Sequence, residues 1–236
     1  EKIIDKFKKI YGSENMILCV VGDTNFKKLC NFCEKKFKKS GFKISEPTVS
    51  LRNEIKIEKR NGIDQINMVF AYHSSKSSER LSYASQVLSS LMVGGMSSRL
   101  WQEIREKRNL AYAVKGSYNG GKRFGYNSIF VGTSPGNLEK VRELILEEFS
   151  KIKDIDEKEL NQVKEQLIGN SKISREDSQG QMLDLLYNEI WDDAKNSYKY
   201  ENEIKKVKLQ DVKKLGGFKN YSLIALVPEN KPEVLK

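Results

Sequence analysis

Apolar residues recur along the chain with two different periods, and the changes of period divide it into elements. "IIDKFKKIYG" sets Ile3, Ile4, Phe7 and Ile10 at helical spacing. "NMILCVVGD" is a continuous apolar run of strand length and reads as a buried strand. Phe26, Leu29, Cys30, Cys33 and Phe37 then form another helical stripe. "SGFKISEPTVS" lacks periodicity and carries Gly41 and Pro47, so it is expected to be a linker.

After this break the pattern restarts. "NEIKIEKR" alternates as a half-buried strand, and "DQINMVFAYH" is a more apolar, more buried one. A helix is expected from about Ser78 to Leu91, followed by the pair Gly94-Gly95 and a short helix from Ser97 or Ser98, both natural N-caps. "AYAVKGSYN" and "FGYNSIFVGT" read as two strands joined across "GGKR", a hairpin signal.

Further along, "SPGNLEKVRELILEEFSKI" reads as a helix with Ser134 as N-cap and Pro135 at its first position. Its stripe is Leu138, Val141, Ile145, Phe149 and Ile152. Asp156 with Glu159 suggests a capping box for the next helix, and "MLDLLYNEIW" keeps the helical texture. "LQDVKKLGGF" is a helix stopped by glycine, and "YSLIALVP" closes the pattern as a strand. The layout of "VKKLGGFKNYSLIALVPEN" repeats that of "IDKFKKIYGSENMILCVVGDT", which suggests two tandem domains with only the end of the first present. The expected division is residues 1–48, the close of a preceding domain plus linker, and residues 49–236, a second domain. The expected fold is α+β, a mainly antiparallel sheet covered by helices on one face.

Composition changes this picture little. A length of 236 residues with 38% hydrophobic content is enough for a proper core. No apolar run approaches the roughly 20 residues of a membrane span, so no membrane partner is expected. The net charge of +10 invites a nucleic-acid reading, but lysines and glutamates alternate along nearly every helix, as on ordinary solvated faces. No nucleic-acid partner is expected either. Cys30 and Cys33 form a C-x-x-C inside a helical pattern with no second pair, and His73 is the single histidine, so the metal or redox signal is weak. Cys19 reads as a buried small hydrophobe, and three thiols fit a reducing, cytoplasmic compartment. His73, between a strand and a serine-rich turn, reads as a surface or capping residue.

The chemistry concentrates in "GGMSSRLWQEIREKRNLAYAV". Gly94 and Gly95 could cradle phosphate before a helix. Neither a P-loop lysine-serine pair nor G-x-G-x-x-G accompanies them, so a tight turn into a capped helix is the simpler reading. Ser98 is expected to cap, and Arg99 to tie the loop down. By residue type alone, Arg105 among Glu103, Glu106, Lys107 and Arg108 is a solvated, salt-bridging arginine, and Tyr112 a strand tyrosine with a surface hydroxyl.

The same stretch, with "LSYASQVLSSLMV" before it and "GTSPGN" after it, resembles the second domain of the pitrilysin/insulinase family of zinc metallopeptidases, nearest its processing-peptidase branch. The resemblance runs from about Asn53 to Val227, and the first 42 residues resemble the close of the preceding family domain. It implies that zinc is bound by an H-x-x-E-H helix in an N-terminal portion absent from this sequence. This chain has no H-x-x-E-H, so it is expected to bind no metal and to be inactive alone.

The resemblance implies that Arg105 and Tyr112 reach a peptide substrate beside that zinc. There a phenol donor and a guanidinium fork suit a carbonyl developing oxyanion charge. The implied partners are a zinc-bearing N-terminal domain or subunit and a peptide, with homo- or heterodimerisation left open. The family's non-catalytic processing subunit has a long glycine-rich insertion that the short loop here lacks. The rival reading is a scaffold or assembly subunit of the same fold, like the core subunits of respiratory complexes.

Overall fold

A computed structural model describes residues 1–38 and 48–229. The segment read as a linker lies largely outside the described residues. In chain order the strands are β1 (Ile55–Arg60), β2 (Ile66–His73), β3 (Ala111–Gly120), β4 (Gly125–Thr133) and β5 (Ser222–Pro228). They form one sheet in the order β1-β5-β2-β4-β3. Only the β1–β5 pair is parallel, so the sheet is mainly antiparallel.

The helices are α1 (Lys2–Ile10), α2 (Phe26–Lys36), α3 (Ser82–Val93), α4 (Leu138–Ser150), α5 (Glu157–Ser174), α6 (Ser178–Trp191), α7 (Tyr200–Lys206) and α8 (Leu209–Gly216). None among the described residues is long and apolar enough to cross a membrane.

Alternation along β2 separates the two faces of the sheet. Ile66, Met68, Phe70 and Tyr72 are buried under the helix layer, whereas Val69 on the opposite face is 40% exposed. That open face also carries Phe130, paired with Val69, and the exposed Ile224 of β5. The covered face packs against the expected stripe of α4, in which Leu138, Val141, Ile145 and Phe149 are all buried. Burying each such side chain contributes about 1.5–3 kcal/mol. Burial raises the Tyr72 phenol far above its ordinary range, with Asn127 partly opposing it.

Three local expectations are corrected. The first is the helix start at Ser134: α4 begins at Leu138 with Asn137 in the cap position. Ser134, Pro135 and Gly136 instead form a turn closed by Asn137 N–H to the Ser134 carbonyl at 3.2 Å. Gly136 sits at φ +90°, which a helix cannot use but a proline-glycine turn can. The second is the capping box, which is only half made. Asp156 Oδ1 accepts from Glu159 N–H at 2.8 Å, while the Glu159 carboxylate is engaged by Arg99.

The third correction is the buried strand in "NMILCVVGD". Residues 16–21 form no strand, and Met16, Ile17, Leu18 and Val20 are between 45% and 59% exposed. A strand is a relation between chains of backbone, and no described segment pairs with this one. Its counterpart at the other end, β5, is flanked by β1 and β2 and buries Leu223, Ala225 and Val227 completely. Cys19, expected to be buried, is partly exposed, with its thiol 3.4 Å from the Met182 carbonyl. In α1 the apolar stripe is likewise open, with Ile3 85% exposed, and in α2 Phe26 is 77% exposed while Leu29, Cys30 and Cys33 are half-buried.

Candidate functional site

The loop after α3 is shaped by its glycines. A Cβ on Gly94 would lie 2.4 Å from the Ser90 carbonyl oxygen, and Gly95 has φ +113°. Backbone contact in the first case and a left-handed conformation in the second both demand glycine. Gln166 donates to the Gly94 carbonyl from α5, and Gln102 to that of Met96. Ser98 is buried, but its hydroxyl donates to the Gly95 carbonyl at 2.6 Å instead of accepting a helix N–H. It closes the loop on itself and caps nothing.

Arg99 forms a fork on Glu159, with Nε–Oε1 at 2.6 Å and Nη2–Oε2 at 2.7 Å, and lies 3.6 Å from Glu148. The Glu159 hydrogen bonds hold its guanidinium more firmly protonated, against the cost of partial burial. Glu148 is 4% exposed and also contacts Lys151. Arg99→Ala is expected to destabilise the fold by about 2 kcal/mol, because the buried Glu148 charge loses one of its two cations. Urea unfolding would show it, and an unchanged midpoint would remove Arg99 from the account.

From Trp101 to Glu106 the backbone winds as a π-helical turn, a geometry frequent at functional sites. Leu100 and Ile104 anchor it, both with no exposed surface. Around it most of the charged side chains are engaged. Glu103 takes Lys107 and Arg108, whose hydrogen bonds hold its carboxyl below the usual range. Glu106 accepts from the Trp101 indole at 3.0 Å.

Arg105 differs from its neighbours. It has no ion pair among the described residues, and its guanidinium carbon lies 4.2 Å from the Trp101 ring centroid. The salt-bridged reading suggested by its neighbours in sequence is therefore not what the geometry shows.

The chain leaves this turn through Asn109 at φ 51° and enters β3. Asparagine tolerates that left-handed conformation better than most residues. Thr133 Oγ1, fully buried, donates to the Leu110 carbonyl and pins the entry. One residue later the β3–β4 register slips: Ala111 faces Thr133, and Ala113 faces Gly132. Tyr112 is thus the extra residue of a bulge, a device that re-aims a side chain.

Its ring lies over Gly132, where a Cβ would come within 2.2 Å of Tyr112 Cζ. Its hydroxyl is 3.4 Å from Asn67 Oδ1, long for such a bond, and the residue is 47% exposed. Asn67 pairs with Gly132 across β2 and β4, so the phenol sits at the open face of the sheet. Gly132→Ala would push aside a flexible ring and not the backbone. The expected result is a nearly unchanged Tm with the Tyr112 ring displaced from its seat, read from a thermal melt beside a crystal structure of the variant.

Trp101, Asn67 and Gly132 were not singled out in the sequence, although each leaves a trace there. Trp101 stands four residues before Arg105 on one helical face, Asn67 is a polar residue inside an apolar strand, and Gly132 is a strand-interior glycine. His73 ends β2 with Nε2 3.0 Å from the Arg52 carbonyl, partly buried. No group of three or more His, Cys, Asp or Glu able to hold a metal ion occurs among the described residues. Cys30 and Cys33 are free thiols, both half-buried in α2.

Comparison with known proteins bears on the chain as a whole. A family profile described as the peptidase M16 inactive domain matches residues 1–167. An uncharacterized zinc protease of Rickettsia felis is 32% identical over 183 residues, covering 75% of this chain but 43% of the relative. Among solved structures, a protease from Helicobacter pylori superposes with a TM-score of 0.82 at 21% identity, covering 96% of this chain and 58% of that one. The peptidase M16 inactive domain from Pseudomonas fluorescens superposes with a TM-score of 0.80 at 18% identity, covering 99% and 58%. The chain thus spans less than half of that curated relative, and rather more than half of each of those structures.

Proposed function

Since the chain belongs to the peptidase M16 family, through the domain described as inactive, we propose that it is the C-terminal, zinc-free half of a zinc metalloendopeptidase. It closes a proteolytic chamber against a zinc-bearing N-terminal domain or subunit and contacts the peptide there. The observation that carries this reading is the bulge at Tyr112. It sets a weakly engaged phenol on the open face of the sheet, seven residues from an arginine with no ion pair among the described residues.

In this reading Tyr112 donates its O–H to the oxygen of the reacting carbonyl, where negative charge develops. Arg105 holds a neighbouring carbonyl of the substrate backbone with its fork. The residues of this chain do not fit a zinc ion. His73, its single histidine, is engaged by a backbone carbonyl and stands in no cluster of metal-ligating side chains among the described residues.

The division of the chain near residue 48 belongs to the same proposal. The open apolar side chains of α1 and of residues 16–20 support packing against the neighbouring, metal-carrying domain. The test is reconstitution with the polypeptide bearing H-x-x-E-H that is encoded ahead of or beside this chain. The pair should cleave a fluorogenic peptide that neither half cleaves, and a zinc chelator should stop it. If the zinc half alone were as fast, or the complex formed and stayed inert, the chain would be a scaffold of the same fold and the reading would fail.

A further inference from the structure

A hollow of about 230 Å³ lies beneath the C-terminal end of α6, within the helix layer and apart from Arg105 and Tyr112. Four aromatic side chains line it: Tyr83 of α3, Tyr118 of β3, Trp191 of α6 and Tyr200 of α7. Two carboxylates, Asp184 and Asp192, line it as well. No lysine, arginine or histidine does, in a chain that has 42 Lys and Arg residues. We propose that this hollow is a binding site for an organic monocation with an alkylammonium head.

The two carboxylates are not equivalent. Asp184 is compensated by Arg175 at 2.9 Å and by the Ser197 hydroxyl at 2.6 Å. Asp192 accepts from the Asn196 side-chain amide at 2.9 Å and has no ion pair among the described residues. One negative charge is therefore left uncompensated at the mouth of an aromatic-walled space. Aromatic faces carry negative quadrupole density, so rings and carboxylate attract the same sign of ligand.

The frame is fixed. Tyr83 and Tyr200 meet edge to face with centroids 6.0 Å apart, and Trp191 stacks on Tyr187 at 5.5 Å. The field is visible in the walls. The Tyr83 phenol is raised mainly by burial, and further by Glu203, Asp184 and Asp192. Burial penalises either charge, but the carboxylate contribution opposes a phenolate and favours an ammonium. A neutral polar guest would gain from the rings alone, and an anion would be repelled.

The experiment uses Trp191 as its reporter. Trp101→Phe leaves it as the single tryptophan of the two in the chain, so its emission reads the hollow directly. The full chain is titrated with n-butylammonium chloride, with Nα-acetyl-lysine amide and with n-butanol, against sodium chloride. The expected result is a saturable change with n-butylammonium, at least tenfold weaker binding of n-butanol, which has the rings alone, and no change with sodium chloride. Asp192→Asn should weaken the ammonium response about tenfold.

An equal response to the lysine derivative identifies a pocket that admits a side-chain head of a peptide. A response to butylammonium alone identifies one for a free amine. A matching response to n-butanol, no saturable response to either amine, or an affinity untouched by Asp192→Asn would overturn the proposal. None of these readouts depends on peptidase activity, so the outcome is independent of the assignment made for Tyr112.

Discussion

Replacing Tyr112 by phenylalanine is expected, on the proposed role, to lower kcat of the reconstituted zinc-bearing pair by about 10²–10³-fold, the loss that follows removal of one donor to a developing oxyanion. The substitution deletes a single oxygen. The ring keeps its seat over Gly132, and the hydroxyl it loses was only weakly engaged, 3.4 Å from Asn67. Stability and KM should therefore scarcely change, which separates a role in the transition state from a structural one. Steady-state kinetics with a fluorogenic peptide, beside a thermal melt of the variant, make the comparison. Turnover equal to that of the parent would refute the role given to the phenol.

The largest loss of stability is expected at Phe70. It is fully buried at the centre of an aromatic group, with Tyr221 at 4.6 Å, Phe218 at 5.9 Å and Phe149 at 6.4 Å between ring centroids. These partners come from α4 and from the stretch before β5 and close on β2, so truncation opens a void that no single element can close. Phe70→Ala should cost about 3–5 kcal/mol, seen as a lower urea midpoint with an unchanged slope. A loss below about 1 kcal/mol would mean that the three neighbouring rings collapse into the space.

What could be read from the sequence was mostly local. β2, the β3–β4 hairpin and the stripe of α4 follow from periodicity, because burial on one face imposes it residue by residue; β1 forms where expected, but it is more open than its alternation implied, with only Ile57 partly buried. The place of β5 between β1 and β2 leaves no local trace. The strand expected at residues 16–21 failed for the same reason in reverse: its apolar run is real, but pairing depends on partners elsewhere. In the loop, the pattern located the turn and the helix but not the direction of the Ser98 hydroxyl. At the candidate site the motif named Arg105 and Tyr112. The bulge that re-aims Tyr112 and the glycine beneath it belong to a register set with another strand.

The position of β5 also sets an order of events. The Glu54 N–H donates to the Ser222 hydroxyl across 168 residues of chain, and among the described residues β1 has no strand neighbour other than β5. Such distant pairing makes a sheet slow to close, since loop entropy must be met before the contacts form. On the ribosome, β1 and one edge of β2 must wait, unpaired, until β5 has emerged. That interval is when this polypeptide is most exposed to misassociation, and a chaperone that shields open strand edges would act on it then.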